Sequence, residues 1–153
     1  MSPRVYLVII DETDEARLAL RFASRRAART GGQVHIVALV PKADFVAFGG
    51  VQATIEAEMR SRAEVLVMSA AGSLVSENGR MPVISVIEGE PVHVVREYLK
   101  EHPEVSALVL GAAVEGNPGP LVTHFATHHP GQLPCPLMIV PGSMSDETID
   151  GVS

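Results

Sequence analysis

Apolar positions along the chain follow two alternating rhythms. Val5 to Ile10 (VYLVII) is an unbroken, β-branched run cut off by Asp11, the pattern of a strand buried on both faces. From Asp14 to Arg29 the period lengthens: Ala16, Ala19, Leu20, Ala23 and Ala27 mark one helical face, with Phe22 beside it. Thr13 is placed to cap that helix, Asp14 and Glu15 suit its positive end, and Gly31-Gly32 stops it. Val34 to Val40 reads as a second strand closed by Pro41. Val51, Ile55, Met59, Ala63, Leu66, Ala70 and Leu74 then trace a long amphipathic helix ending near Asn78-Gly79. Pro82 to Ile87 is a third strand, followed by a helix from Pro91 to His102-Pro103. Val105 to Leu110 is a fourth strand, residues from about Pro120 to His129 a short helix, and Leu137 to Val140 a fifth strand.

Strands alternating with helices predict one α/β domain over residues 1–142: a single open, doubly wound, five-stranded parallel sheet with helices on both faces. The stretch 143–153 is polar and acidic and reads as a flexible tail.

Composition changes the picture in a few places. Tryptophan is absent and there are two Tyr and four Phe, so the core must be aliphatic. The net charge of −6 argues against nucleic acid as a partner, because phosphate contacts need a basic surface. Arg21, Arg25, Arg26 and Arg29 cluster along one side of the first helix and read as a solvated outer face rather than a phosphate patch. The single cysteine, Cys135, rules out an internal disulfide, fits a reducing compartment and reads as a small buried hydrophobe. No run approaches a membrane span, and the N-terminal apolar run is too short for a signal peptide, so a cytoplasmic protein is expected. His124 and His128 have the i, i+4 spacing that can clamp a metal. No third ligand stands nearby, and no metal is expected. No G-x-S-x-G elbow exists, Ser24, Ser61, Ser69 and Ser76 fall inside helices, and no enzyme is expected.

Ligands of open α/β sheets bind beyond the carboxyl ends of the strands, where the winding reverses. Two strand-end loops stand out: Asp11-Glu12-Thr13-Asp14, and the Gly- and Pro-rich stretch from Gly111 to Pro120. Gly111, Gly116 and Gly119 would let the backbone approach a ligand, and the following helix start offers free N–H groups. The loop holds no Lys or Arg, so it is not a Walker A loop. A rigid Pro-Gly turn that merely starts a helix explains it equally well.

Asp11-Glu-Thr-Asp-Glu-Ala-Arg-Leu-Ala-Leu-Arg-Phe-Ala23 resembles the opening of universal stress proteins, D-G-S-x-x-S-x-x-A-L-x-x-A. Val34 to Pro41, Ala107 to Gly111 and Cys135 to Pro141 resemble their second, fourth and last strands. The likeness covers essentially the whole chain. It implies strand order 3-2-1-4-5, with the reversal between strands one and four. Members of that family that bind ATP carry G-x2-G-x9-G-[S/T] after strand four. Here Gly111 matches the first glycine, but Val114 stands at the second, and His124-Phe125, or Thr123-His124 if one residue is deleted, at the last pair.

The resemblance implies a stress-response regulator that needs no cofactor. Its ligand would be an adenine nucleotide such as ATP or AMP, or a related anion. Asp11 matches the aspartate that contacts the nucleotide from strand one, and Leu39 and Val40 match the end of strand two, which lines the adenine pocket. Gly111, Gly116, Gly119, Leu121, Val122 and Thr123 form an altered phosphate loop. Loss of nucleotide binding, leaving a member that acts through protein contacts alone, is the alternative. In that strand order the fifth strand lies at a sheet edge, and Leu137, Met138, Ile139 and Val140 carry no charge to blunt it. A homodimer pairing through that strand is expected.

Overall fold

The computed structural model describes residues 3–41 and 49–153, with the side chains of residues 3–41 and 54–153. The alternating strand and helix runs of the sequence fold into a five-stranded sheet. Strand β1 (Val5–Ile10) is buried at every position and lies at its centre. It pairs in parallel with β2 (Gln33–Val40) on one side and with β4 (Ala107–Ala112) on the other. Strands β3 (Val83–Glu88) and β5 (Leu137–Pro141) form the two edges, giving the order β3-β2-β1-β4-β5. The expected fold class, strand order and reversal between β1 and β4 are therefore present.

Helices α1 (Asp14–Thr30) and α2 (Gly49–Asn78) close one face, and α3 (Pro91–Glu101) and α4 (Pro120–Thr127) the other. Alternation within β1 divides the core between them. Tyr6, Val8 and Ile10 pack with Leu18, Ala23 and Val67; Leu7 and Ile9 pack with Val95, Leu99 and Phe125. On α2 the buried positions are Ala63, Val67, Ala70, Ala71 and Leu74, close to the expected stripe. The side chain of Val51, the first residue of that stripe, lies outside the described residues.

Local chemistry sets the helix boundaries. Thr13 Oγ1 accepts from Ala16 N at 3.2 Å and starts α1, and Gly31, at φ 67°, ends it. Glu90 caps α3 by accepting from Val92 N (3.1 Å) and His93 N (2.8 Å), with Pro91 in the first turn. These two bonds hold the Glu90 carboxyl below the usual carboxylate range.

The C-terminal stretch differs from the flexible tail expected of it. Asp146–Val152 forms helix α5, with Ser145 as N-cap, and lies against α1. Ile149 is completely buried in the α1 side of the core. Arg21 donates to both carboxylate oxygens of Asp150, Arg25 lies 3.3 Å from the same carboxylate, and Arg17 pairs with Asp146 at 3.2 Å. Arg29 donates to the carbonyls of Asp150 and Ser153. Arg17, Arg21, Arg25 and Arg29 of α1 thus form a docking strip for the acidic tail, and these charges are not a plain solvated face.

Candidate functional site

The carboxyl ends of β1 and β4 splay apart at the winding reversal and leave a cleft of about 250 Å³. Leu39, Leu110 and Leu121 supply apolar walls, and Asp11 stands at its mouth. Asp11 ends β1, and its Oδ1 accepts from the Thr13 backbone N–H at 2.9 Å and from the Thr13 hydroxyl. Asp11 is exposed, and its Oδ2 has no partner among the described residues, so one oxygen fixes the turn while the other is left unbonded. Glu15, one turn into α1, also lines the cleft. Among the described residues no Lys, Arg or His does, so the described lining carries negative charge alone.

Of the nine residues expected to bind a nucleotide, Asp11, Leu39, Gly111, Gly119, Leu121 and Val122 line the cleft. Val40, Gly116 and Thr123 do not. Val40 is 2% exposed and packs into the α1–α2 side of the core, while Leu39 packs toward the α3–α4 side. Successive strand residues face opposite ways, so only one of this pair can meet a ligand. Gly116 is exposed at φ 69°, a left-handed turn that favours glycine.

Gly111 meets a stricter demand than contact with a ligand. A Cβ there would lie 2.2 Å from the Glu15 carbonyl oxygen, so this glycine lets α1 cross β4 at close range. Gly142, after β5, is held similarly, with a Cβ falling 2.8 Å from the Ala112 carbonyl oxygen.

Sequence reasoning passed over Asn117. Its Oδ1 accepts from Gly119 N at 2.8 Å and from the Thr123 hydroxyl at 3.1 Å, while Ala113 N donates to the Pro118 carbonyl at 3.0 Å. The loop is closed on itself, and two of the expected phosphate donors are used internally. Pro120 has no N–H, and Thr123 N bonds the Gly119 carbonyl at 2.9 Å. The N–H groups of Leu121 and Val122 alone stay free at the start of α4 among the described residues. An Asn two residues before a glycine is an Asx-turn signal that the sequence did contain.

The arrangement fits a base and ribose better than a polyphosphate. Apolar walls and a free carboxylate oxygen suit a nucleoside, and two amides suit a single phosphate oxygen. Among the described residues no cation lines the cleft to balance three phosphates.

Other candidate chemistry lies elsewhere. The His124 and His128 rings stack at 4.9 Å, but Arg96 Nη2 donates to His124 Nε2 at 3.0 Å and takes the lone pair a metal would need. Among the described residues no group of three potential ligands is suited to a metal ion. Cys135 is half-buried, and burial pushes its thiol pKa up, away from reactivity. A cavity of about 280 Å³ at the opposite end of β2 is a structural seam. There Asn78 donates to the Ser24 carbonyl and hydroxyl, and Arg80 to the Gly31 and Gly32 carbonyls.

A five-stranded sheet in this order, with its cleft at the β1–β4 reversal, defines an α/β domain of the ligand-holding, doubly wound class. The family model described as the universal stress protein family matches residues 4–141, and the chain belongs to that family. Helix α5 lies beyond the matched residues. The fold is similar to that of the universal stress protein UspA from Lactobacillus plantarum, at 19% identity and TM-score 0.76 over 92% of this chain and 99% of that one. It is also similar to a universal stress protein in complex with cAMP (15%, TM-score 0.63, 92% and 98%). The universal stress protein from Archaeoglobus fulgidus in complex with dAMP is a third (19%, TM-score 0.56, 91% and 98%). No curated protein matches the chain by sequence. No helix among the described residues is long and apolar enough to cross a membrane.

Proposed function

We propose that this chain is a cytoplasmic stress-response regulator that binds an adenine nucleotide of low charge, a monophosphate rather than ATP, in the cleft between the loops after β1 and β4. The observation that carries the reading is the presence, in the lining of one cleft, of Asp11 with its unbonded Oδ2 and of Leu121 and Val122 with their free amides. Folds similar to this one have been solved with cAMP and with dAMP, which supports a ligand of that size. Two carboxylates, and no cation among the described residues of the lining, disfavour a triphosphate. The protein acts as a binder and not as an enzyme; among the described residues the lining offers no histidine, cysteine or lysine to serve as base or nucleophile.

A second reading, a family member that binds no nucleotide and acts through protein contacts, is favoured by Asn117 occupying the Gly119 amide and the Thr123 hydroxyl. Calorimetric titration with AMP separates the two. Saturable heat that is lost in Asp11→Ala supports the first, and no heat with AMP, cAMP or ATP supports the second.

The working unit is a homodimer joined along β5. This strand has a single neighbour in the sheet, β4, and α5 lies on α1. Leu137 and Met138 are half-buried, Val140 is buried, and Ile139 is 41% exposed on the edge.

A further inference from the structure

We propose a second binding site, at the end of the molecule remote from the cleft, that takes an amphiphilic anion: a carboxylate or phosphate head on an apolar body. Residues of α3, of the C-terminal end of α4 and of the turn at Pro130–Gln132 enclose a cavity of about 610 Å³. That size falls in the range of small-molecule sites, roughly 300–1,000 Å³.

The cavity divides by chemistry. Leu99, Phe125 and Leu133 make apolar walls, and Leu99 and Phe125 belong to the α3–α4 core. Arg96 and Lys100, four residues apart on α3, stand on its rim with His128 and His129. Residues at i and i+4 share a helix face, so the two permanent charges aim at the same opening. Consecutive side chains normally diverge, yet His128 and His129 both line the cavity. His129 has a left-handed backbone (φ 55°, ψ 48°) that turns the chain between them.

Charge balance is the second observation. The chain carries 18 acidic against 12 basic side chains, but among the described residues no Asp or Glu lines this cavity. Arg17, Arg21 and Arg25 all pair with carboxylates of α5, whereas no carboxylate pairs with Arg96 or Lys100 among the described residues. Arg96 is held in place through His124, which leaves further guanidinium N–H groups free. Uncompensated cations beside an apolar wall recognise an anion carrying hydrocarbon, because each half of such a ligand meets its own kind of surface.

The test uses four probes: decanoate, decyl phosphate, decanol and inorganic phosphate. Binding is followed by calorimetry and by the ring resonances of His128 and His129 in two-dimensional NMR. Decanoate or decyl phosphate should shift those resonances while leaving His35 unmoved. Arg96→Gln/Lys100→Gln should weaken that binding at least tenfold with an unchanged melting temperature. Lys100→Gln alone, at an exposed site, should show a smaller loss and guards against misfolding of the double variant. The head group giving the larger effect identifies the anion class. Decanol binding as tightly as decanoate and decyl phosphate would overturn the role of the cations. Inorganic phosphate binding as tightly would overturn that of the apolar walls. No shift with either amphiphile at about 1 mM, the level of a ~4 kcal/mol interaction, would overturn the site.

Discussion

Arg21 on α1 and Asp150 on α5 meet through two parallel hydrogen bonds of 2.8 Å, Nε to Oδ1 and Nη2 to Oδ2, across 129 residues of sequence. This side-on geometry holds the Asp150 carboxyl below its ordinary value of 3.8. A lowered carboxylate pKa means stability that is present above the unfolded value and lost as pH falls through the folded one. The docking of α5 should therefore weaken below about pH 4. Asp150→Asn should remove that pH dependence, which amide exchange of residues 146–152 would register.

Ile149 anchors the same helix from beneath and has no exposed surface. Ile149→Ala should cost about 2 kcal/mol, the low end for a buried Ile, because a seven-residue helix can detach before the core opens. Chemical denaturation gives the value. A change under about 0.5 kcal/mol would mean that α5 contributes nothing to stability.

A second pH effect comes from the other face of the sheet. His35 is 4% exposed, and its Nδ1 lies 2.8 Å from the Tyr98 hydroxyl. Burial lowers the His35 pKa below its ordinary 6.5 and pushes that of Tyr98 up to about 12. A histidine whose folded pKa is depressed is favoured when neutral. Its share of stability is full above the unfolded value and declines as pH falls below about 6.5. Thermal unfolding at pH 7.5 and pH 5 should show a drop that is smaller in His35→Leu. Tyr98→Phe, which leaves the imidazole without its partner, should cost about 1–3 kcal/mol at neutral pH.

Most of the architecture was legible because parallel strands buried on both faces leave unbroken apolar runs, as in β1, and because Thr13, Gly31 and Pro91 punctuate the helices. Helix α5 was not. With Ile149 as its only buried apolar residue, it has no periodicity to read, and its order depends on arginines more than 120 residues away. Its Ser145 cap was visible, but a cap alone predicts no helix. Leu39 and Val40 show a different limit: both are apolar in a strand buried on two faces, so nothing in the pattern tells which one meets the cleft. Gly111 was singled out for a ligand, while the nearest demand on it is the α1 backbone.

That demand gives its own test. Gly111→Ala should destabilise the fold by about 3 kcal/mol or more, since backbone cannot yield as a flexible side chain does. Gly116→Ala, in open space at φ 69°, should cost only about 1 kcal/mol. Equal melting temperatures for the two variants would show that α1 and β4 are not held as closely as described.

The dimer is tested at Ile139. Ile139→Lys places a charge on the exposed edge of β5 and should give a monomer in light scattering while the wild type runs as a dimer. A wild type that is monomeric at high concentration contradicts pairing through this strand.

The central claim concerns the cleft, and calorimetry with AMP and ATP on wild type and Asp11→Ala tests it most directly. ATP should bind more weakly than AMP, with a dissociation constant above about 10 μM, less than ~7 kcal/mol of binding free energy. Asp11→Ala should weaken AMP by about 1–3 kcal/mol, the loss of one hydrogen bond to a carboxylate. Sub-micromolar ATP binding, or AMP affinity unchanged in Asp11→Ala, would contradict the account.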